Sequence, residues 1–393
     1  MTDDMDPVYR RTVLRSGAAL AAGTTLLSGC SQITDEGTPT DSNQATPTPT
    51  DEPISTSTST SSDDPYSVSI VPVGEVKFES VPETWVANNG SWADMGIALG
   101  LEPPEGVWLT SRYHTQYYDE VDGVSVDKSD MVSLYQDGVS KELFYELDGD
   151  VHVMDPNFLM NRFKGWEQSD VDDVRERVAP FFGNCIYAQH YPWHSNYRYY
   201  TLYEGFEKLA QVFQRTERYE AFETVHDDFQ ANLAPVVPDQ ADRPEVAVLW
   251  GVGDEPTQFY PYIIGEGTGF KHLTDLGVRD ALATTDIKDF HGSRAAIDIE
   301  TLLEVDPEII MLRGYESKSK TKFQNSVVEF LKNHNTASTL SAVENGDVYQ
   351  AGGLYQGPIT NMVLTERTAS QLYNVDEQLF DRERVAAIVA GDV

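Results

Sequence analysis

The stretch Ile297-Asp-Ile-Glu-Thr-Leu-Leu-Glu-Val-Asp-Pro-Glu-Ile-Ile-Met-Leu312 changes period once, and that change decides the fold. From Glu300, an opening acid and the apolar Leu302, Leu303 and Val305 suit a helix of one or two turns. Asp306-Pro307 stops it, and Glu308-Ile-Ile-Met-Leu312 is a short apolar run of strand type. The same order stands in the first half, at Glu142-Leu-Phe-Tyr-Glu-Leu-Asp-Gly-Asp-Val-His-Val-Met154. In both stretches a second Glu follows at +4, then an apolar residue and Asp, then a turn with Gly or Pro and an acid, then a strand. Such an echo, once per half, predicts equivalent positions in two similar lobes.

The surrounding chain agrees. Glu83–Ala87, Asp150–Met154, Glu245–Trp250, Glu308–Leu312 and Gly346–Tyr349 read as strands, and Trp92–Leu99 has helical spacing. Strands separated by helical stretches mean parallel α/β units. Two helical stretches divide the body. Thr201–Phe213 carries Leu202, Phe206, Leu209 and Phe213, and Glu217–Leu233 carries Tyr219, Phe222, Val225, Phe229 and Leu233, in steps of three and four that share a face. Pro235, Pro238 and Pro244 end the block. Roughly 330 residues are left to fold, more than one compact core usually holds. The predicted architecture is α/β, with an N-terminal lobe over 66–200, inter-lobe helices over 201–235, a C-terminal lobe over 236–373 and a helical extension over 374–393.

The N-terminal residues read as an address. Arg10-Arg11 lies in a run resembling the twin-arginine export signal, and the apolar stretch Gly17–Gly29 is too short to span a bilayer. It ends in Leu27-Ser28-Gly29-Cys30, which resembles a lipobox, so residues 1–29 are expected to be removed and Cys30 to carry a lipid on the outer face of the cytoplasmic membrane. Residues 30–65, rich in Thr, Ser, Pro and Asp, cannot bury enough apolar surface to offset their ordering entropy and read as a tether. The net charge of −36 would strain a compact fold in dilute buffer but is screened over ~3 Å in molar salt, which points to an extreme halophile. No basic stripe exists to meet nucleic acid. If Cys30 is lipidated, Cys185 has no partner for a disulfide and reads as a buried, inert thiol.

The segment 297–312 resembles the "Glu-x-Leu-Leu, then Asp-Pro-acid, then strand" segment of substrate-binding proteins for iron–siderophore, haem and cobalamin ABC importers. Trp92–Leu101, with its Ala98-Leu99-Gly100, looks like that family's first helix, and Thr201–Leu233 sits where its inter-lobe helix belongs. Leu340-Ser-Ala-Val-Glu-Asn-Gly-Asp-Val-Tyr349, followed by Gly352-Gly353 and a terminal helix over Ile359–Tyr373, looks like its late segment. The resemblance covers about Val81 to Tyr373, and the N-terminal lobe departs from it over Tyr113–Val139 and Asn184–Tyr200, which look like longer loops. It implies two lobes with a ligand cleft between them, a ferric chelate as cargo with haem or cobalamin as alternatives, no intrinsic cofactor, and an ABC permease with its ATPase as partners. It also implies one permease-docking glutamate per lobe, and the matching positions are Glu142 and Glu300. Both would open helices, so simple capping is the competing explanation.

Strand ends facing a cleft are where α/β folds bind ligands. Four such places are rich in aromatic and polar side chains: Asn88–Trp92, Trp108–Tyr118 with Arg112, Tyr113 and His114, Trp250–Tyr260, and Arg313-Gly314-Tyr315. Arg313 is the leading candidate, because an arginine just past a strand can fork-bond an anionic chelate, with Arg112 and Arg294 next. The alternative for Arg313 is a surface ion pair with one of the chain's many acids. The aromatic segment Phe181–Tyr203, with Trp193, suits a wall for a flat ligand or the packing of a long loop. Its His190 and His194 have the spacing of a zinc-binding helix, but Pro192 between them argues against one, and no metal site is expected. No Gly-x-Ser-x-Gly, phosphate loop or plausible Cys–His pair is present, so no catalytic residue is assigned. A surface-anchored redox protein or hydrolase is the remaining alternative of a different class.

Overall fold

The computed structural model describes residues 64–393 apart from positions 137, 164 and 190. The export signal, Cys30, the tether up to residue 63 and His190 lie outside the described residues.

The described chain opens on an antiparallel hairpin of β1 (Tyr66–Ile70) and β2 (Gly74–Phe78). Val68, Ile70, Val76 and Phe78 are buried and the residues between them are not, the period-2 pattern of a strand with one covered face. β3 (Trp85–Ala87), β4 (Gly106–Val107), β5 (Val132–Ser133) and β6 (Val151–Val153) form a parallel sheet in the order β5-β4-β3-β6. The second half supplies β7 (Glu245–Trp250), β8 (Gln258–Tyr262), β9 (Arg279–Asp280), β10 (Ile297–Asp298), β11 (Ile309–Arg313) and β12 (Val348–Gln350). These make a second sheet in the order β10-β8-β7-β11-β12, with β9 beside β7. β7, β11 and β12 run parallel, and β8 and β10 are antiparallel additions. The fold is therefore α/β in two lobes, each with a central sheet flanked by helices. β8 is not among the strands read from the sequence, and its Pro261 is accommodated opposite Leu249 on β7.

The echoed segments form the same unit twice. Helices Lys141–Leu147 and Ile299–Val305 each end on an aspartate in the left-handed region, Asp148 at φ 46° and Asp306 at φ 45°. An acid then ties the following strand to its neighbour. Asp150 Oδ2 accepts the amides of Glu83 and Thr84, both at 2.9 Å, and Glu308 Oε2 accepts that of Glu245 at 2.8 Å.

The helical block is well determined by its sequence. Thr201 caps helix Leu202–Val212 by accepting from the Glu204 amide, while Glu204 Oε2 accepts from the Thr201 amide at 2.8 Å. The predicted apolar face of helix Thr216–Leu233 is buried, from Tyr219 to Leu233, with Phe206 and Phe222 packed edge to face. Helix Pro358–Tyr373 follows the last strand of the second sheet, but Ile359, Met362, Leu364 and Ala369 join the first lobe's core. Asp94, on the first lobe's helix Gly90–Ala98, anchors its start by accepting from the Thr360 amide at 3.1 Å and hydroxyl at 2.9 Å.

Candidate functional site

The carboxyl ends of both sheets turn towards one junction. On the first lobe, β3 runs into Asn88-Asn89, where Asn89 Oδ1 caps the helix Gly90–Ala98 through the Ser91 amide at 2.9 Å. On the second, Trp250 and Arg313 are register partners at the ends of β7 and β11. Gly314, at φ +90°, lets these two strand ends turn against each other: a Cβ there would lie 2.7 Å from the Gly251 carbonyl oxygen.

The lobes meet through specific side chains. The Arg112 guanidinium lies 4.8 Å from the centre of the Trp250 ring. Gln116 Nε2 donates to the Glu316 carbonyl at 3.2 Å, and His114 Nε2 is 3.9 Å from a Glu316 carboxylate oxygen. Burial, assisted by the nearby charges of Lys128, Arg112 and Arg367, lowers the His114 pKa to about 4, while burial raises that of Glu316. The imidazole of this pair is therefore neutral at neutral pH. Beside it, Ser91 Oγ and Thr268 Oγ1 are 3.0 Å apart, and the Thr268 amide donates to the Ile186 carbonyl at 3.0 Å.

A second set of contacts comes from the aromatic segment. Tyr191 stacks on Trp193 with ring centres 4.4 Å apart and planes at 17°. Tyr191 also meets His291 at 5.4 Å, and Arg294 lies 6.0 Å from the Tyr191 ring and 5.3 Å from that of Phe290. Tyr260 packs on Phe290 at 4.7 Å. His291 is oriented by Asp289, whose Oδ1 is 3.1 Å from His291 Nδ1.

Arg313 is the unusual residue. Its side chain is wholly buried, with Cζ 4.6 Å from the Phe270 ring centre and 5.3 Å from that of Tyr262. Nη2 donates to the Gly269 carbonyl, but Nε and Nη1 have no hydrogen-bond partner, and the Glu316 and Asp289 carboxylates favour its charge without a direct ion pair among the described residues. Burial lowers its pKa. Gln356 holds the same carbonyl from another side, donating to Gly269 O at 3.0 Å and lying 3.0 Å from His272 Nδ1. Each unmet buried donor costs about 1–3 kcal/mol, so two on one cation mark a group kept for something other than stability.

The junction thus gathers Arg112, His114, Trp193, Trp250, Tyr260, Arg294 and Arg313. Three other candidates lie elsewhere. Trp92 is fully buried in the first core, its indole N–H 3.3 Å from the Asn184 carbonyl oxygen, because it sits on the inward face of its helix. Tyr113 is buried with its hydroxyl 2.8 Å from that of Tyr118, and Tyr315 packs on Phe323 in the second core. Glu142 and Glu300 are exposed in the first turns of their helices, as expected for docking or for capping; Glu142 accepts from Ser140 Oγ and Glu300 from Thr336 Oγ1 at 3.4 Å. The reading of the sequence missed Tyr262, Phe270, Asp289, His291 and Glu316. Glu316 was findable, three residues after Arg313, whereas Asp289-Phe-His291 carries no signal until the fold brings it to Tyr191. Among the described residues, no group of three or more His, Cys, Asp or Glu side chains is arranged to hold a metal ion.

Residues 86–353 match the family described as Periplasmic binding protein. No curated protein matches the sequence. Among solved structures, a periplasmic binding protein from Veillonella parvula is 16% identical with a TM-score of 0.54, over 80% of this chain and 99% of that one. PiaA of Streptococcus pneumoniae, solved in complex with ferrichrome, is 16% identical with a TM-score of 0.52, over 78% and 97%. A protein of an ABC-type Fe3+-hydroxamate transport system from Saccharomonospora viridis is 16% identical with a TM-score of 0.51, over 79% and 100%. At these identities the likeness is one of fold.

Proposed function

The chain belongs to the periplasmic binding protein family, and from that membership we propose that it captures a ferric chelate and delivers it to an ABC importer. The observation that carries this reading is Arg313, a buried cation with two unused N–H groups, set where the two lobes meet. An anionic chelate closing between the lobes supplies the acceptors that the protein lacks. Arg112, His114, Trp193, Trp250, Tyr260 and Arg294 would line the same cleft, with the lobes closing through Arg112 on Trp250. PiaA, solved in complex with ferrichrome, and the protein of an Fe3+-hydroxamate transport system support the choice of cargo. No reaction is part of this role, and no intrinsic cofactor is invoked.

The protein is further proposed to be an exported lipoprotein of a haloarchaeon, held at the outer membrane face through Cys30 and the tether of 30–65. The twin-arginine run, the lipobox and the net charge of −36 support this. Glu142 and Glu300 would dock the two lobes on the permease. Native mass spectrometry of protein purified from iron-limited cells tests the cargo. A bound mass containing iron is the expected result. A porphyrin or corrin mass would replace the chelate with haem or cobalamin, and a protein that binds no iron compound in a subsequent titration would overturn the reading.

A further inference from the structure

Two donors meet on one buried carbonyl beneath the junction. After β12 the chain passes through residues 351–357, buried except for the half-buried Tyr355, into the helix whose start Asp94 of the first lobe holds. Gln356, on this connection, is fully buried. Its Nε2 has two hydrogens but three acceptors within reach: the Gly269 carbonyl at 3.0 Å, His272 Nδ1 at 3.0 Å and the Gly353 carbonyl at 3.1 Å. Asn361 Nδ2 donates to Gln356 Oε1 at 3.3 Å, which fixes the way the amide faces. His272 Nδ1 is an acceptor, because Nε2, 3.0 Å from the Ala351 carbonyl oxygen, must carry the ring's proton. Burial lowers the pKa of this histidine to about 3 and keeps it neutral. One of the three acceptors is therefore always short of a hydrogen. The Gly269 carbonyl can be that one, since Arg313 Nη2 also donates to it. Its neighbour Thr268 touches the first lobe through Ser91 Oγ and the Ile186 carbonyl, each at 3.0 Å.

On the premise that cargo engages Arg313, we infer that Gln356 is a positioning residue that takes over the Gly269 carbonyl when Arg313 turns to the cargo. The exchange lets the cation leave without stranding a buried acceptor, and it keeps the Thr268 contact between the lobes in place.

The test has a ligand-free arm and a binding arm. Urea unfolding of wild type, Gln356→Met, Arg313→Met and the double variant forms a cycle without cargo. If the two side chains support one carbonyl in turn, Gln356→Met lowers the folded-to-unfolded ratio about tenfold more in the Arg313→Met background than in wild type. Equal losses in the two backgrounds would overturn the exchange. Should Gln356→Met not fold, the crystal structure of Arg313→Met decides: Gln356 Nε2 is expected to close on the Gly269 carbonyl and draw away from that of Gly353, and unchanged contacts would overturn the exchange. In the binding arm, ferrichrome and ferric citrate are titrated by tryptophan fluorescence. The probe that binds wild type more tightly should bind Gln356→Met about tenfold more weakly, with no such loss when Arg313 is already Met. An equal loss in both backgrounds would overturn the link to cargo alone. Binding of neither probe would remove the ferric-chelate premise together with that link, while the unfolding cycle still decides the shared carbonyl.

Discussion

Asp148 and Asp306, 158 positions apart, hold the same left-handed backbone at φ 46° and 45°, each closing a short helix before a central strand. Their side chains do different things. Asp306 accepts from the Ser341 amide and hydroxyl, both at 2.8 Å, whereas the exposed Asp148 carboxylate makes no such pair of bonds. Glycine enters the left-handed region without strain, at the price of a more flexible unfolded chain. Asp148→Gly should therefore leave stability within about 0.5 kcal/mol of wild type. Asp306→Gly loses two charge-assisted bonds at a partly solvated site and should fall by about 1–2 kcal/mol. Urea denaturation of the two variants measures the difference, and equal losses would show that the Ser341 contacts contribute nothing.

His152 predicts a pH dependence. It is fully buried between Phe144 and Phe181, at 5.0 and 5.1 Å. Burial lowers its pKa from 6.5 to about 4. Between those values the unfolded chain binds a proton that the folded chain refuses, so stability is lost as pH falls through this window, by about 3 kcal/mol at its lower end. Asp94, raised by burial to about 6, works with the opposite sign over part of the range, so variant and wild type must be compared at each pH. His152→Leu should flatten the wild-type slope below pH 6.5, which chemical denaturation at pH 7, 6 and 5 can follow. Parallel curves for the two proteins would refute it.

Docking and capping make different claims about Glu142 and Glu300. Both carboxylates are exposed in first turns, where the unpaired amides of the helix start favour a negative charge. If capping is their whole role, Glu142→Gln with Glu300→Gln costs only that stability and transport continues. If they dock the permease, the double variant folds and binds its chelate normally but uptake of labelled iron falls to background. We expect the second outcome.

The parts of this protein that were legible in its sequence are those that local period decides. β7 and β11 were visible as apolar runs bounded by turns, and the helix Thr216–Leu233 by its single apolar face. What could not be read is which side of a loop faces inward. Trp92, Tyr113 and Tyr315 sit in aromatic, polar segments as the cleft residues do, and only packing separates them. Helix Pro358–Tyr373 follows the second sheet in sequence, but its apolar face carries no label saying which core it will enter. The pairing of Tyr191 with His291 joins segments 100 residues apart, beyond the reach of any periodicity.

Arg313 sets function against stability, and that conflict is open to measurement. In the unliganded protein its guanidinium is buried, lacks an ion-pair partner among the described residues and leaves two donors unmet. An apolar side chain of similar length removes the charge while keeping contact with the rings of Phe270 and Tyr262. Replacing a poorly compensated buried charge in this way commonly stabilises by about 1–4 kcal/mol. Arg313→Met should therefore raise the unfolding free energy of the ligand-free protein. The same change deletes the buried cation and the open donors that an anionic chelate would use, so affinity should fall by about 1.5–3 kcal/mol, the value of a charge-assisted contact. The two effects have opposite signs, and misfolding cannot mimic the pair, because a damaged protein loses stability along with binding. Calorimetric unfolding with and without chelate reads both in one experiment. Wild-type affinity retained in Arg313→Met would move the anionic contact to Arg112 or Arg294, and a fall in ligand-free stability would show that the burial of Arg313 is compensated after all.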